Sequence, residues 1–405
     1  MAHPSDRSLT PLIHHGYQPP AGFDAPQPAV HKASTVYFPN VAAVRSTEWK
    51  DKTGYTYGLH GTPTTYLLEE RLCTLEGGLQ CVLSPSGLAA IANVSLALLR
   101  TGDEVLIPNN VYGPSRALAE GELRNWGIGH RLYDPLDPED LARCIGPATR
   151  LVWLEAPGSV SMEFPDLVAL VRVCRARGVT VALDNTWGAG LAFNPFDLLP
   201  GRQPALGADV SVHALTKYPS GGGDVLMGSV ITRDPALHLA VKLCHMRLGL
   251  GVAANDAELV LRSLPSIGLR YRAHDQAARA LATWLQSRPE VVQLLHPAFS
   301  GSPGHEAWSS LCGADGLAAG LFSVILHPRY SRSQVDAFCD GLRLFRLGYS
   351  WGGPVSLVMT YDLAGVRGGW PAHLPAGALV RFSIGLEDVR DLQADLAQSL
   401  AAALA

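Results

Sequence analysis

Residues Cys81–Arg100 read CVLSPSGLAAIANVSLALLR. A short apolar run, Cys81-Val82-Leu83, stops at Ser84-Pro85-Ser86-Gly87, and a long apolar helix pattern begins at once. A strand that enters a helix through a tight Ser/Gly turn is the start of a strand–helix–strand unit. The chain continues outward in the same way. DEVLIP (103–108), a helical stretch near 113–126, LVWLEAP (151–157), a helix at 165–177, VTVALD (179–184), ADVSVHA (208–214) and MGSVIT (227–232) follow in order. Unbroken Val, Leu and Ile runs separated by helices predict an α/β fold with a mostly parallel sheet, covered on both faces. Past a long helical region at about 254–287 the pattern changes. LFSVIL (321–326), ALVRFSIGL (378–386) and a closing helix from Glu387 predict a smaller α+β unit. The expected organisation is an arm over 1–60, a large domain over 61–255 and a small C-terminal domain over 256–405. The arm carries Val36, Tyr37, Phe38 and Trp49, too many large apolar groups for a solvated tail, and is expected to contact a neighbouring subunit.

Composition narrows the function classes. The 405 residues are 47% hydrophobic and 17% charged, enough to bury one or two large cores. Thirty-two basic residues face 36 acidic ones without any block of like charge, which argues against nucleic-acid or acidic-membrane partners. Seven dispersed cysteines form no C-x-x-C pair, and the opening MAHPSDRSLT lacks the apolar core of a signal peptide. A cytoplasmic protein with reduced thiols is expected. Fourteen histidines, His14-His15 among them, make no H-E-x-x-H or Cys/His cluster, so no metal is expected. Gly249-Leu250-Gly251-Val252-Ala253-Ala254 matches a loose dinucleotide fingerprint but follows a helical stretch rather than a strand, and is set aside.

The residues that carry chemistry cluster at strand ends. In ADVSVHALTKYPSGGGDVLMG (208–228), Lys217 follows an apolar strand and Thr216, and precedes a glycine run. A lone lysine is ordinarily a solvated charge, but one at the carboxyl end of a buried strand can lose its proton and condense with an aldehyde. Asp184 ends VTVALD, 33 residues before Lys217. It could simply cap a turn. Beside a Schiff-base lysine it would hold the pyridine nitrogen of pyridoxal 5'-phosphate protonated. Ser86-Gly87-Leu88 opens a helix straight after a strand, either as an ordinary cap or as a phosphate cup of backbone N–H groups. Tyr112 follows the next strand and could stack on a cofactor ring or anchor its loop.

Together these residues resemble the cysteine/methionine-metabolism family of pyridoxal-phosphate enzymes, from Tyr55-Thr56-Tyr57-Gly58 to Gly385-Leu386-Glu387-Asp388. The resemblance implies fold type I, the aspartate-aminotransferase-like architecture. It implies that Lys217 bears the cofactor, Asp184 meets the ring nitrogen and Tyr112 stacks on the ring. Ser86, Gly87, Leu88 and Thr216 would meet the phosphate, with Tyr57 reaching it from the neighbouring subunit. Lys217, Tyr112 and Tyr57 are the implied catalytic residues. Arg381 would clamp the substrate α-carboxylate, with Ser350, Trp351 and Tyr112 also at the substrate. A homo-oligomer follows from the crossing Tyr57, expected as a tetramer built from two dimers and acting on a small amino acid.

Two stretches, Ser350-Trp351-Gly352-Gly353 and Glu155-Ala156-Pro157-Gly158-Ser159, resemble the β-lyase branch. That branch implies α,β-elimination of L-cystathionine to homocysteine, pyruvate and ammonia. Lysis of cysteine, cystine or S-alkylcysteines, a γ-acting activity, and cofactor binding without turnover are the alternatives. There are departures from the family pattern. Leu59 stands where relatives place a phosphate-binding Arg, leaving His60 or another base to replace it. Gly222 stands for a His, and Val355 for a Glu beside the substrate.

Overall fold

The computed structural model describes Gly22 and residues 25–404, so the first part of the expected arm, His14-His15 included, lies outside the described residues. Among them, seven strands form the first sheet: β1 (Gln80–Ser84), β2 (Glu104–Pro108), β3 (Gly129–Tyr133), β4 (Thr149–Glu155), β5 (Thr180–Asp184), β6 (Val210–His213) and β7 (Gly228–Thr232). Their order is β1-β7-β6-β5-β4-β2-β3. The pairs from β6 through β3 are parallel, whereas β7 is antiparallel to both β1 and β6. MGSVIT therefore departs from the parallel series. No crossover helix separates β6 from β7, and a direct return loop yields an antiparallel pair. That loop, 214–227, holds Lys217 at the carboxyl edge of the sheet.

Side-chain alternation along these strands builds two cores. Val181 and Leu183 of β5 join one core with Leu68, Leu72, Leu170 and Cys174 of the helices on that face. Ala182 between them joins the other, with Ile91, Val94 and Val241 from helices 87–98 and 235–248. All three β5 side chains are almost completely buried, as a doubly covered sheet requires. β3 shows no apolar run because it is an edge strand with alternating exposure, which is why it was not evident in the sequence. The helix Pro235–Leu248 ends on Gly249 in the left-handed conformation (φ 67°), so the loose fingerprint there is a helix stop.

The second sheet comprises β8 (Val291–Leu295), β9 (Leu321–Leu326), β10 (Arg346–Leu347), β11 (Leu357–Tyr361) and β12 (Ala378–Ser383). The order is β10-β11-β12-β9-β8, antiparallel except for β10 against β11. It packs on helices 267–286 and 389–403 through a separate core that includes Leu281, Leu285, Phe322, Phe382 and Leu396. All seven cysteines are unpaired. No helix among the described residues is long and apolar enough to cross a membrane.

Candidate active site

One cavity of about 650 Å³ opens at the carboxyl edge of the first sheet, where the second sheet meets it. Loops that follow parallel strands converge there, the place where α/β sheets characteristically bind ligands. Its walls include Ser86, Gly87, Leu88, Tyr112, Asp184, Thr216, Lys217, Ser350, Trp351 and Arg381. These residues come from stretches up to 295 positions apart in the chain.

The Lys217 amine donates to Ser350 Oγ at 2.7 Å and lies 5.4 Å from the centre of the Trp351 ring. Burial and the nearby Arg381 guanidinium pull it down to about 8, against the opposing pull of Asp184. A lysine so placed holds a substantial neutral fraction near physiological pH. Ser350 presents its hydroxyl from a left-handed backbone (φ 91°), a strained conformation for a residue with a Cβ. Its carbonyl lies 3.5 Å from Arg381 Nη2. Arg381, in the middle of β12, is buried, and its guanidinium rests 5.0 Å from the Tyr361 ring centre.

Asp184 ends β5 directly opposite Glu155 at the end of β4. Its Oδ1 accepts from the Thr186 N–H at 3.0 Å. Burial pushes its carboxyl up, only partly offset by Thr186 and by the positive charges nearby. Burial, together with the Asp184 charge, pushes Glu155 up further, and Glu155 accepts from the Tyr112 N–H at 2.8 Å. Burial also raises Tyr112, so its phenol stays protonated at neutral pH.

At the other end, Ser86 Oγ caps the Ala89 N–H and starts the helix 87–98 at the cavity wall. A Cβ on Gly87 would sit 2.6 Å from Ala214 Cβ, so only glycine lets the helix end press against the Lys217 loop. The Thr216 hydroxyl donates to the Met227 carbonyl at 3.2 Å and accepts that residue's N–H at 3.1 Å. Tyr57, half-exposed on the arm and bridged to Thr35, does not line this cavity. His60 stacks on Trp49 at 4.1 Å and bonds Thr56 Oγ1 at 2.8 Å, with burial lowering its basicity. Val355 is exposed at 47%.

The donor set fits pyridoxal phosphate. A near-neutral amine is matched to an aldehyde, a helix N-terminus to a phosphate, and a buried carboxylate lacking a full counter-charge to a protonated ring nitrogen. Sequence reading missed Glu155, Tyr361 and Arg367 as cavity residues. Glu155 carries the same signal as Asp184, a carboxylate at a strand's carboxyl end. Arg367 ends a five-residue helix, Leu363–Arg367, too short to leave a periodic signal in the sequence.

A sheet of this order, with a lysine, an aspartate and a helix end meeting at its carboxyl edge, defines a fold type I pyridoxal-phosphate enzyme. Residues 9–401 match the family model described as Cys/Met metabolism PLP-dependent enzyme, and the chain belongs to that family. It is 39% identical over 373 residues to the cystathionine beta-lyase of Bordetella avium, spanning 91% of this chain and 90% of that protein. It is 34% identical over 407 residues to the cystathionine beta-lyase MetC of Escherichia coli (strain K12), spanning 97% and 98%. Its fold superposes on the cystathionine gamma synthase of Xanthomonas oryzae pv. oryzae, solved in complex with cystathionine, with a TM-score of 0.82 at 31% identity over 93% of each chain.

Proposed function

We propose that the protein is a carbon–sulfur β-lyase that converts L-cystathionine and water to homocysteine, pyruvate and ammonia. The observation that carries this reading is the Lys217 amine, desolvated to about 8 and held between Ser350 and Trp351 in one cavity with Arg381 and Asp184. Its resemblance to two named β-lyases over most of its length supports the choice of substrate.

Bound pyridoxal phosphate supplies an electron sink for the carbanion at Cα. Lys217 would hold it covalently, Asp184 would keep its ring nitrogen protonated, and Ser86, Gly87, Leu88 and Thr216 would surround its phosphate. The chain's residues do the rest. Arg381 binds the α-carboxylate with its two-pronged guanidinium, which fixes Cα relative to Lys217 Nζ. Freed when the substrate's own amine takes its place, the neutral Lys217 amine takes the Cα proton, and the Cβ–S bond breaks as the electron pair leaves with sulfur. A proton on Lys217 Nζ then passes to the departing thiolate. Ser350 Oγ and the Trp351 ring hold Nζ on one side of the cavity. That suits removal of a single Cα proton, whereas γ-elimination also requires proton transfer at Cβ. We also propose that Tyr57 reaches the cavity of a second copy of the chain, because it lies outside its own.

The test supplies the purified, cofactor-loaded protein with L-cystathionine and identifies the ketoacid by NMR. Pyruvate with homocysteine supports the reading. 2-Oxobutyrate with cysteine would mean a γ-acting enzyme, and pyruvate from cystine or S-methylcysteine alone would move the substrate. Lys217→Ala is expected to abolish both turnover and the visible absorbance of the bound cofactor; retained turnover sinks the assignment.

A further inference from the structure

We propose that Glu163, Arg367 and His373 form a latch that holds the segment 361–374 as the outer wall of the cavity and positions the loop bearing Tyr112. The segment connects β11 to β12 of the second sheet, and Leu363, Val366 and Arg367 line the cavity. The Arg367 and His373 side chains nevertheless bond to the first sheet's loops. Arg367 Nη1 donates to Glu163 Oε2 at 2.9 Å and Nη2 to Asn109 Oδ1 at 2.6 Å. His373 Nε2 meets Glu163 Oε1 at 2.6 Å. Arg116 Nη1 donates to the Val366 carbonyl at 3.0 Å.

Glu163 has no exposed surface and also accepts from Asn110 Nδ2 at 2.6 Å and Ser161 Oγ at 2.8 Å. Asn109 and Asn110 lead directly into Tyr112. One buried carboxylate therefore joins the Tyr112 loop, the loop after β4 and the segment over the mouth. This also accounts for Gly158. A Cβ there would lie 2.0 Å from Asn110 Nδ2, so any side chain would displace the residue that ties Tyr112 to Glu163. Gly158 N–H bonds the Glu163 carbonyl at 2.9 Å, and Ser159 N–H the Asn110 carbonyl at 2.9 Å, so Gly158-Ser159 belongs to the same unit.

The Arg367 guanidinium is committed to Glu163 and Asn109, which makes it a positioning residue and not a partner for substrate carboxylates. His373 gives the latch a pH dependence. It faces Glu163 from the loop after β4, Arg367 from its own segment, and Asp134 at the end of β3. Its bond to Glu163 favours the protonated form beyond the usual imidazole range. The contribution of its charge is complete in acid and fades as pH rises through the raised value.

Backbone amide exchange of the cofactor-loaded protein tests the latch, whichever sulfur substrate is cleaved. Arg367→Met is expected to raise exchange in both 109–114 and 361–374 by about tenfold or more, and to raise KM for L-cystathionine and S-methylcysteine alike, with kcat less affected. A rise below about threefold in either segment overturns the proposal. So does a KM increase confined to L-cystathionine with both segments still protected, which would make Arg367 a carboxylate-binding residue. Glu163→Gln, which keeps the shape and removes the charge, should reproduce the loosening, and Arg367→Lys should restore part of the protection. After correction for intrinsic rates, protection of 361–374 should fall with rising pH in the unmodified protein and stay level in His373→Gln. Equal pH dependence in the two would overturn the role of His373.

Discussion

Lys217 has the chemistry of an amine made ready before any ligand arrives. Burial costs its charged form, and Arg381 adds repulsion that Asp184 only partly offsets. The apoprotein should therefore capture pyridoxal phosphate faster as pH rises through about 8, because the neutral amine is the nucleophile. Stopped-flow absorbance on mixing gives the midpoint. Arg381→Gln removes one cause of the depression, so its midpoint should move upward. The same variant should raise KM for an amino-acid substrate by about two orders of magnitude, the loss expected of a buried two-pronged carboxylate contact. A midpoint that stays put would mean that burial alone sets the Lys217 value. Most of this residue chemistry was legible in the sequence, because lysine and aspartate at the ends of apolar strands are conspicuous, and the family resemblance supplied the arginine. Glu155 escaped because its signal, taken alone, is equally that of a turn cap.

The helix 87–98 and the loop after β6 make the cavity's floor by pressing together at one glycine. Gly87→Ala puts a methyl group 2.6 Å from Ala214 Cβ, and one of the two elements must withdraw. The strain is expected to cost on the order of 1–3 kcal/mol, weakening cofactor binding by roughly tenfold or more. Fluorescence titration of the apoprotein with pyridoxal phosphate measures it, and unchanged affinity would show that the helix end does not hold the phosphate. The loops around Glu163 make a second test. Burial opposes its charge, but His373, Arg367, Asn110 and Ser161 outweigh it and bring the carboxyl down to about 2. A depressed value stabilises the fold above the unfolded-state value of 4.5 and ceases to do so as pH falls toward 2. On the order of 3 kcal/mol should disappear across that window. Urea unfolding at several pH values should show the loss in the unmodified protein and a weaker pH dependence in Glu163→Gln. None of these contacts could be anticipated from local pattern, since Asn110, Glu163, Arg367 and His373 lie up to 263 residues apart.

As a whole molecule, the chain leaves Tyr57 outside the cavity that its own Lys217 lines. If Tyr57 serves a second copy, mixing Lys217→Ala with Tyr57→Ala should rebuild activity neither variant has. Random pairing would give one intact site in half of the dimers, hence about a quarter of the unmodified activity. No recovery after subunit exchange would place Tyr57 outside the reaction. Composition and the strand–helix alternation were enough for the architecture, because a doubly covered sheet demands unbroken apolar strands and its helices demand apolar faces. The same patterns singled out Lys217 and Asp184 at strand ends, Ser86-Gly87-Leu88 at a helix start and Tyr112 after a strand, whereas Arg381 came from the family resemblance. Tertiary structure alone decided the reversed direction of β7, the strained Ser350 against Lys217, and the convergence of Glu163, Arg367 and His373. Strand direction depends on how a loop closes, and the polar junction depends on three loops meeting. Neither leaves a periodic trace in the chain.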